Sequence, residues 1–242
     1  MATDLKARET LPPPLDSTSN PPPLFDGTTR LYITYRSPFA QRALITRNCK
    51  GLQDEIKLVP LSLTDKPAWY REKVYPVDKV PSLEHDNKVM GESLDIMKYI
   101  DSKFEGPSLF PTDPAKRDYG EELWSYSLEF VETMYSALKG ETVKELGPPL
   151  DHLDRALQKF DNGPFFLGQF SLVDIAFIPI VERIQLLLSD VWKHDITLGR
   201  PNLASWIEEM NKIDAYTQTK YDPQDIVAYI KTHFLSTLQV KH

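Results

Sequence analysis

The sequence predicts two consecutive domains of different class: an α/β domain that begins near residue 28 and an all-helical domain that fills the second half. Strand-like and helix-like segments alternate from residue 30 to about residue 100, and a stretch rich in Pro and Gly follows. From residue 115 onward, apolar residues recur only at helical spacing. A chain of 242 residues, 41% of them hydrophobic, is long enough to give each domain its own core.

Charge and composition narrow the possible partners. The 28 Lys and Arg residues against 35 Asp and Glu residues give a formal net charge of −7, so we expect no basic surface for nucleic acid or for an anionic membrane. No apolar run approaches the roughly 20 residues that cross a bilayer. One Cys and five His residues, without metal-site spacing, predict neither a disulfide framework nor a bound metal. These features indicate a soluble protein of a reducing compartment.

The first 27 residues differ from the rest in composition. They hold six of the 20 prolines, in two Pro-Pro-Pro runs, which is typical of a flexible, polyproline-rich segment. A transit peptide would be rich in Arg and poor in acidic residues, whereas Asp4, Glu9, Asp16 and Asp26 interrupt this segment. We therefore expect a cytoplasmic protein, with a plastid location as the alternative.

The α/β domain, residues 28–104, has segments in the order β-α-β-α-β-β-α. An apolar, β-rich run after Arg30 predicts the first strand, and the pattern that follows Ser37-Pro38 predicts the first helix. Asp86-Asn87 is a dipeptide typical of a tight hairpin. The expected strands cover 31–35, 55–61, 80–85 and 88–90, and the expected helices cover 38–50, 67–75 and 92–100.

Residues 105–114 form the expected linker, and residues 115–242 form the all-helical domain. Ser171-Leu172-Val173-Asp174 has the pattern of a capping box, in which the Ser and Asp side chains bond to backbone amides at the start of a helix. Gly163-Pro164 marks a break before it. The expected helices cover 116–139, 141–160, 171–190, 202–212 and 223–236.

Three short motifs of the α/β domain place reactive or polar groups at the ends of its elements. The first is Ser37-Pro38, where a strand turns into a helix. Ser is a favoured N-cap and Pro fits the first helical position, so a purely structural cap is one interpretation. The other is functional: a hydroxyl at the positive end of a helix dipole favours a nearby anion such as a thiolate.

The second and third motifs also have a structural and a functional interpretation. Val80-Pro81 opens a strand, either as an edge-strand proline or as a cis turn that leaves the backbone of Val80 free to pair with a bound peptide. Glu92-Ser93 opens a helix, either as a cap or as a site for an amino-acid head group. In that site Ser93 and the free helix amides would hold the α-carboxylate, and Glu92 would accept from the α-amino group.

Further motifs recur along the chain: Phe39-Ala40-Gln41-Arg42, Lys50-Gly51-Leu52-Gln53, Pro67-Ala68-Trp69-Tyr70, Lys79-Val80-Pro81, Gly91-Glu92-Ser93-Leu94-Asp95, Gly163-Pro164-Phe165-Phe166-Leu167-Gly168-Gln169-Phe170 and Lys212-Ile213-Asp214-Ala215-Tyr216. Together with the three motifs above, they resemble the soluble glutathione transferases and, more closely, the plant lambda class. The resemblance covers nearly everything after residue 30. It implies a thioredoxin-like domain followed by a helical bundle, with glutathione as substrate.

The resemblance also implies roles for residues at matching positions. The backbone of Val80 would pair with the cysteinyl part of glutathione, and Pro81 would follow a cis peptide bond. Glu92 and Ser93 would hold the γ-glutamyl end, and Phe39 would pack near the sulfur.

The remaining ligand contacts have a structural alternative in each case. Lys66 and Lys79 are candidate partners for the glycine carboxylate, although a lysine in such a loop is often only solvated. An apolar or phenolic co-substrate would lie between the domains, with Tyr119 and Trp124 as candidate contacts. At helical spacing both aromatic residues also fit a core.

Ser37 departs from the lambda pattern, because the lambda, omega and dehydroascorbate-reductase classes resemble one another in having a catalytic Cys at this position. Two explanations fit: a natural divergence, or an engineered replacement of Cys by Ser. Cys49 does not substitute for it, since twelve residues along one helix correspond to about 18 Å, and we expect a packed, inert thiol.

Three functions follow from this site. The first is glutathione-dependent thiol transfer, the deglutathionylation of small-molecule adducts, as the parental activity that Ser37 disables. The second is serine-type conjugation of glutathione to electrophiles, and the third is non-catalytic binding of glutathionylated ligands. The resemblance to the lambda class also implies a monomer.

Overall fold

The computed structural model describes residues 9–139 and 146–235, and the chain divides into two compact units, residues 1–106 and 107–242. Unit 1 is built on a four-stranded mixed sheet, and the regular elements described in unit 2 are all helical. The predicted fold class, an α/β domain followed by a helical domain, is therefore confirmed. The division falls between Gly106 and Pro107.

The sheet of unit 1 has the strand order β2-β1-β3-β4. Its strands are β1 (Thr29–Ile33), β2 (Ile56–Pro60), β3 (Ser82–His85) and β4 (Lys88–Met90). β2 runs parallel to β1, and β3 runs antiparallel to both β1 and β4. The β3–β4 turn has φ angles of 50° at Asp86 and 59° at Asn87, the left-handed values of a type I′ hairpin. β3 starts at Ser82 rather than at Val80, because its pairing with β1 ends at Ser82.

Each face of the sheet carries its own apolar core, because alternate residues of a strand point to opposite faces. Helices α1 (Pro38–Cys49) and α2 (Ser93–Lys103) contribute to one core. A π-helical turn, Tyr70–Val74, contributes to the other, in place of the expected helix 67–75. The first core contains Leu31, Ile33, Ala40, Ala43, Leu44, Leu52, Ile56, Leu83, Ile96 and Ile100. The second contains Tyr32, Val59, Leu61, Trp69, Tyr70 and Val74.

The Pro-rich segment is bound to unit 1 where the structure describes it, in contrast to the expected flexible segment over 1–27. The Leu15 amide donates to the Pro60 carbonyl at 2.8 Å, and the Leu15 carbonyl accepts from the Ser62 amide at 2.8 Å. Proline runs cannot donate to a sheet, which is why composition predicted no order here. Leu15 lies between the two runs and has the free N–H that a short β-bridge needs.

Side chains of unit 1 anchor the same segment at other points. The guanidinium of Arg47 pairs with both carboxylate oxygens of Glu9, each at 2.7 Å. The hydroxyl of Tyr35 donates to the Pro12 carbonyl at 2.7 Å. The indole N–H of Trp69 donates to the carbonyl of residue 19 at 2.8 Å. The described part of the segment therefore pairs with the outer strand only at the end of β2, where it protects part of an exposed strand edge.

We expect Leu15→Pro to lower the free energy of unfolding by about 2 kcal/mol, because it removes the amide donor of the bridge and the packing of the Leu side chain. Leu11→Pro is the matched control, since Leu11 is exposed and precedes the same Pro run, and we expect it to change stability by less than about 0.5 kcal/mol. Urea unfolding of both variants measures the difference. Equal stability of the two variants would contradict the bridge.

Unit 2 contains six α-helices among its described residues. They are α3 (Pro114–Lys139), α4 (Gly147–Ala156), α5 (Leu172–Trp192), α6 (Pro201–Met210), α7 (Asp214–Thr217) and α8 (Pro223–Ile230), and a π-helical turn (Lys231–Leu235) follows. The expected helix 141–160 is shorter and ends at Ala156, and residues 140–145 lie outside the described part. The expected helix 223–236 has its last residue, 236, outside the described part of the chain. The four-residue helix α7 was not predicted, because it is too short to show a period.

A capping box starts α5, as the sequence predicts. Asp174 Oδ2 accepts from the Ser171 amide at 2.9 Å and from the Ser171 hydroxyl at 3.0 Å, while Ser171 Oγ accepts from the Val173 amide at 3.3 Å. Asp174 Oδ1 accepts from the Phe166 amide at 3.2 Å and from Trp206 Nε1 at 2.9 Å. One buried carboxylate thereby joins the preceding turn, α5 and α6.

Candidate active site

The register of the sheet brings four loops to one edge, the one formed by the carboxyl ends of β1 and β2. β1 and β2 are parallel and end at this edge, whereas β3 begins there, since Ser82 pairs with Tyr32. β4 ends at the same edge, since Met90 pairs with Leu83. The loops at this edge follow β1, follow β2, precede β3 and follow β4, and they carry Ser37, Lys66, Val80-Pro81 and Glu92-Ser93. The topology therefore gathers three motifs that are separated by up to 56 positions in the sequence.

Ser37 is the N-cap of α1, with extended backbone angles of φ −78° and ψ 123°. Its Oγ accepts from the Ala40 amide at 3.2 Å, so the capping interpretation is correct. Since the hydroxyl oxygen accepts in this bond, the hydroxyl proton remains available to a second acceptor. The first turn of α1 has no acidic residue to offset the positive end of the helix. Capping and stabilisation of an anion are compatible at this residue.

Val80 and Pro81 are joined by a cis peptide bond, as the resemblance implied. The ladder between β1 and β3 ends at Ser82, so the backbone of Val80 lies beyond the last pair. The buried hydroxyl of Tyr70 lies 2.6 Å from the Lys79 carbonyl and 2.8 Å from Ser82 Oγ. A carbonyl only accepts, so Tyr70 donates to Lys79 and accepts from Ser82. Burial raises the pKa of Tyr70, which keeps its proton in place.

Ser93 is the first residue of α2, and Glu92 occupies the N-cap position with φ 63°. The Glu92 side chain makes no capping hydrogen bond, so it does not cap α2, and its role toward a ligand stays a prediction. The first amides of a helix lack partners within the helix and favour an anion. Gly91 precedes them, and a Cβ added there would lie 2.0 Å from the Tyr75 hydroxyl. A side chain at residue 91 would therefore require the Tyr75 side chain to move.

The two lysines differ in environment. Lys66 Nζ pairs with the Asp78 carboxylate at 2.9 Å and also donates to the Asp78 carbonyl. Lys66 thus holds the turn that precedes Val80, where Asp78 has φ 58°. Lys79 is exposed to solvent. Lys79 is adjacent to Val80 in the sequence, and Lys66 reaches the turn before Val80 through its contact with Asp78. Of the two lysines, only Lys66 has an acidic partner among the interactions described.

The two aromatic candidates of unit 2 both lie on α3. Trp124 is buried in α3. Tyr119 packs edge-on against Phe160, with ring centroids 5.9 Å apart, and its hydroxyl lies 3.4 Å from the Ala156 carbonyl. These contacts agree with the core alternative for both residues.

Cys49 lies at the last position of α1, opposite to Ser37 at its start. Burial raises the pKa of the Cys49 thiol to about 12. Since the thiolate is the reactive form, we expect Cys49 to react slowly near neutral pH.

The sequence reasoning gave no role to two residues that organise this edge, Tyr70 and Arg42. Tyr70 braces the Val80 motif as described above. The guanidinium carbon of Arg42 lies 5.4 Å from the centroid of the Phe39 ring, and Nη1 donates to Ser93 Oγ at 3.3 Å. The available signal was a charged residue among the apolar residues Phe39, Ala40, Ala43 and Leu44 of α1.

Comparison with known proteins shows the family of the chain. Residues 31–108 match the family model "Glutathione S-transferase, N-terminal domain", and residues 137–209 match "Glutathione S-transferase, C-terminal domain". The chain is 62% identical to glutathione S-transferase L3 of Arabidopsis thaliana over 227 residues, which is 94% of this chain and 97% of the relative. It is 57% identical to the chloroplastic glutathione S-transferase L2 of the same plant, over 90% of this chain and 75% of the relative.

Solved structures show the same fold. The tau-class glutathione S-transferase of mango, Mangifera indica, has a TM-score of 0.73 and 26% identity, over 85% of this chain and 98% of that chain. The chain belongs to the glutathione S-transferase family and, within it, to the plant lambda class. Among the residues described, no helix has the length and hydropathy needed to cross a membrane.

Proposed function

We propose that this protein is a glutathione-dependent thiol transferase of lambda type in which Ser37 blocks the covalent step. The observation that carries the proposal is the shared edge of the sheet, where the N-cap hydroxyl of Ser37, the unpaired strand end at Val80 and the start of α2 at Ser93 lie together. These groups match the three chemical parts of glutathione: its thiol, its peptide backbone and its γ-glutamyl head group.

Each residue of the edge has a role in this proposal. The Val80 backbone pairs with the cysteinyl residue as an added strand would. Ser93 and the first amides of α2 hold the γ-glutamyl carboxylate. The Glu92 side chain, which makes no capping hydrogen bond, accepts from the γ-glutamyl ammonium group. Phe39 packs beside the sulfur, and Pro81 shapes the turn.

The outer contacts complete the ligand sites of the proposal. Lys79, which is exposed, and Lys66, which Asp78 orients, attract the glycine carboxylate. The co-substrate is an apolar or phenolic small molecule, and Tyr119 and Trp124 remain its proposed contacts, with Trp124 the weaker of the two because it is buried. No metal takes part in this chemistry.

The covalent step requires a sulfur nucleophile. In thiol transfer, a cysteine thiolate attacks the glutathione sulfur of a glutathionylated substrate, a mixed disulfide forms, and the substrate leaves as a thiolate. A second glutathione thiolate then attacks the mixed disulfide, which yields oxidised glutathione and regenerates the cysteine thiolate. A serine hydroxyl cannot form the disulfide, so Ser37 stops the cycle at its first step.

Conjugation of glutathione to electrophiles is a second candidate function, and one observation favours it. Ser37 Oγ accepts from the Ala40 amide, so its proton can be donated to the thiolate of bound glutathione. Each unit by which the thiol pKa falls is worth about 1.4 kcal/mol. A stabilised thiolate attacks an electrophilic carbon without any bond to Ser37.

Calorimetric titration with glutathione and two activity assays on the unmodified chain test these functions. We expect glutathione binding, and a rate of glutathione-dependent reduction of a glutathionyl mixed disulfide no higher than that of Ser37→Ala. A conjugation rate with an aryl halide that disappears in Ser37→Ala would favour conjugation. Binding without either reaction would favour a non-catalytic carrier, and absence of binding would contradict all three.

Tyr70→Phe is expected to weaken glutathione binding about fivefold, because it removes the hydrogen bond to the Lys79 carbonyl that holds the turn before Val80. Tyr99→Phe is the control: its hydroxyl bonds to His85 Nδ1 at 2.8 Å, at the opposite end of β3. Titration calorimetry compares the two variants. An equal effect of both would show that Tyr70 contributes only to stability.

We also propose that the protein is a cytoplasmic monomer, with a plastid location as the alternative. The chloroplastic relative supports the alternative. Light scattering after gel filtration measures the mass directly, and a value near twice 27.8 kDa would contradict the monomer.

A further inference from the structure

We propose that Arg42 is a positioning residue that fixes the Ser93 hydroxyl as a hydrogen-bond donor toward the carboxylate of the γ-glutamyl group. This inference rests on the proposed function, because it concerns the same glutathione site. Arg42 lies on α1 and is only 1% exposed. Its Nη1 lies 3.3 Å from Ser93 Oγ, at the start of α2. A buried guanidinium thus contacts the residue that the proposal gives to the carboxylate.

The direction of this hydrogen bond follows from chemistry. A guanidinium has five N–H donors and no acceptor, so the Ser93 oxygen must accept. A serine hydroxyl has one proton, and a rotor that accepts from Arg42 points that proton away from the guanidinium. The Ser93 hydroxyl can therefore donate this proton to an acceptor of the ligand, and a carboxylate is the strongest acceptor in glutathione. Arg42 therefore selects an acceptor at Ser93 over a donor group.

Charge acts in the same direction. Arg42 places a positive charge behind the first turn of α2, where the helix amides already favour an anion. Because the site is partly withdrawn from water, this charge is screened less than one at the surface. The same guanidinium packs near the Phe39 ring, at 5.4 Å, so one side chain connects the proposed contacts for the two ends of the γ-glutamyl-cysteinyl unit.

A ligand that lacks the carboxylate separates this role from a structural one. Replacing the γ-glutamyl group of glutathione by 4-aminobutanoyl gives a tripeptide that keeps the amine and loses only the α-carboxylate. Titration calorimetry gives the ratio of the two dissociation constants for each variant. We expect the unmodified chain to prefer glutathione by at least about 30-fold, and Arg42→Met and Ser93→Ala each to reduce this preference to below about fivefold.

Two further variants make the test specific. The loss of preference in the double variant Arg42→Met/Ser93→Ala should be smaller than the sum of the two single losses, because Arg42 acts in part through the Ser93 hydroxyl. Arg42→Lys keeps the charge and a donor, so it should retain a preference between those of the unmodified chain and Arg42→Met. It also serves if Arg42→Met does not fold.

Arg47 provides the matched control on the same helix. It is as fully buried as Arg42, with 0% exposure against 1%, but it bonds to Glu9 and to the Ile56 carbonyl. Arg47→Met should lower the melting temperature and leave the preference for glutathione unchanged. If Arg42→Met weakens the binding of both tripeptides by the same factor, Arg42 has only a structural role and the inference is wrong. If the unmodified chain does not bind glutathione, the proposed function itself fails.

Discussion

Ser37→Cys is expected to raise the glutathione-dependent reduction of a glutathionyl mixed disulfide by at least about 100-fold over the unmodified chain. The new sulfur would lie at the N-cap of α1, where the Ala40 amide already bonds to the side chain and no acidic residue occupies the first turn. A thiol at such a position has a lowered pKa, so a large fraction is thiolate at neutral pH. The assay follows NADPH oxidation coupled to the formation of oxidised glutathione.

Two controls accompany this prediction. Ser37→Ala should be as inactive as the unmodified chain, because neither has a nucleophilic sulfur at residue 37. Cys49→Ser, made in the Ser37→Cys background, should leave the rate unchanged, since burial holds the pKa of the Cys49 thiol near 12. If Ser37→Cys gains no activity while it still binds glutathione, the thiol-transfer proposal is wrong and conjugation or simple binding becomes the better account.

Asp174→Ala is expected to lower the free energy of unfolding by about 4 kcal/mol at pH 7, one of the largest effects of a single substitution in this chain. The carboxylate accepts from two backbone amides, from the Ser171 hydroxyl and from the Trp206 indole. Alanine would leave these buried donors without a partner. Asp222→Ala is the control, because Asp222 caps α8 at an exposed position and should cost only about 1 kcal/mol.

The loss of stability caused by Asp174→Ala should also depend on pH. Burial raises the pKa of Asp174 to about 6 from 3.8, so between these values the native state binds a proton more tightly than the unfolded chain. The resulting stabilisation is complete below about pH 4 and is lost as pH rises through 6. The cost of Asp174→Ala should therefore be larger at pH 4.5 than at pH 7, by on the order of 2 kcal/mol. A cost that shrinks in acid would contradict the raised pKa.

The local elements followed from local patterns. The N-cap at Ser37, the hairpin at Asp86-Asn87 and the capping box before α5 each depend on a few neighbouring residues, so propensity and spacing were sufficient to predict them. Two features that were missed or misplaced depend on partners distant in sequence. Leu15 bonds to the backbone at the end of β2, and β3 starts at Ser82 because its pairing with β1 ends there.

The candidate site shows the same division. By itself, the sequence determined which residues are candidates for the chemistry, since Ser37, Val80-Pro81 and Glu92-Ser93 stand in motifs that can be recognised without a fold. Only the tertiary structure decided that they share one edge, that Tyr70 braces the Val80 turn, and that Arg42 bonds to Ser93 across 51 positions. The physical reason is that strand register and helix packing set these distances, and both are properties of the assembled sheet and helices that no short segment encodes alone.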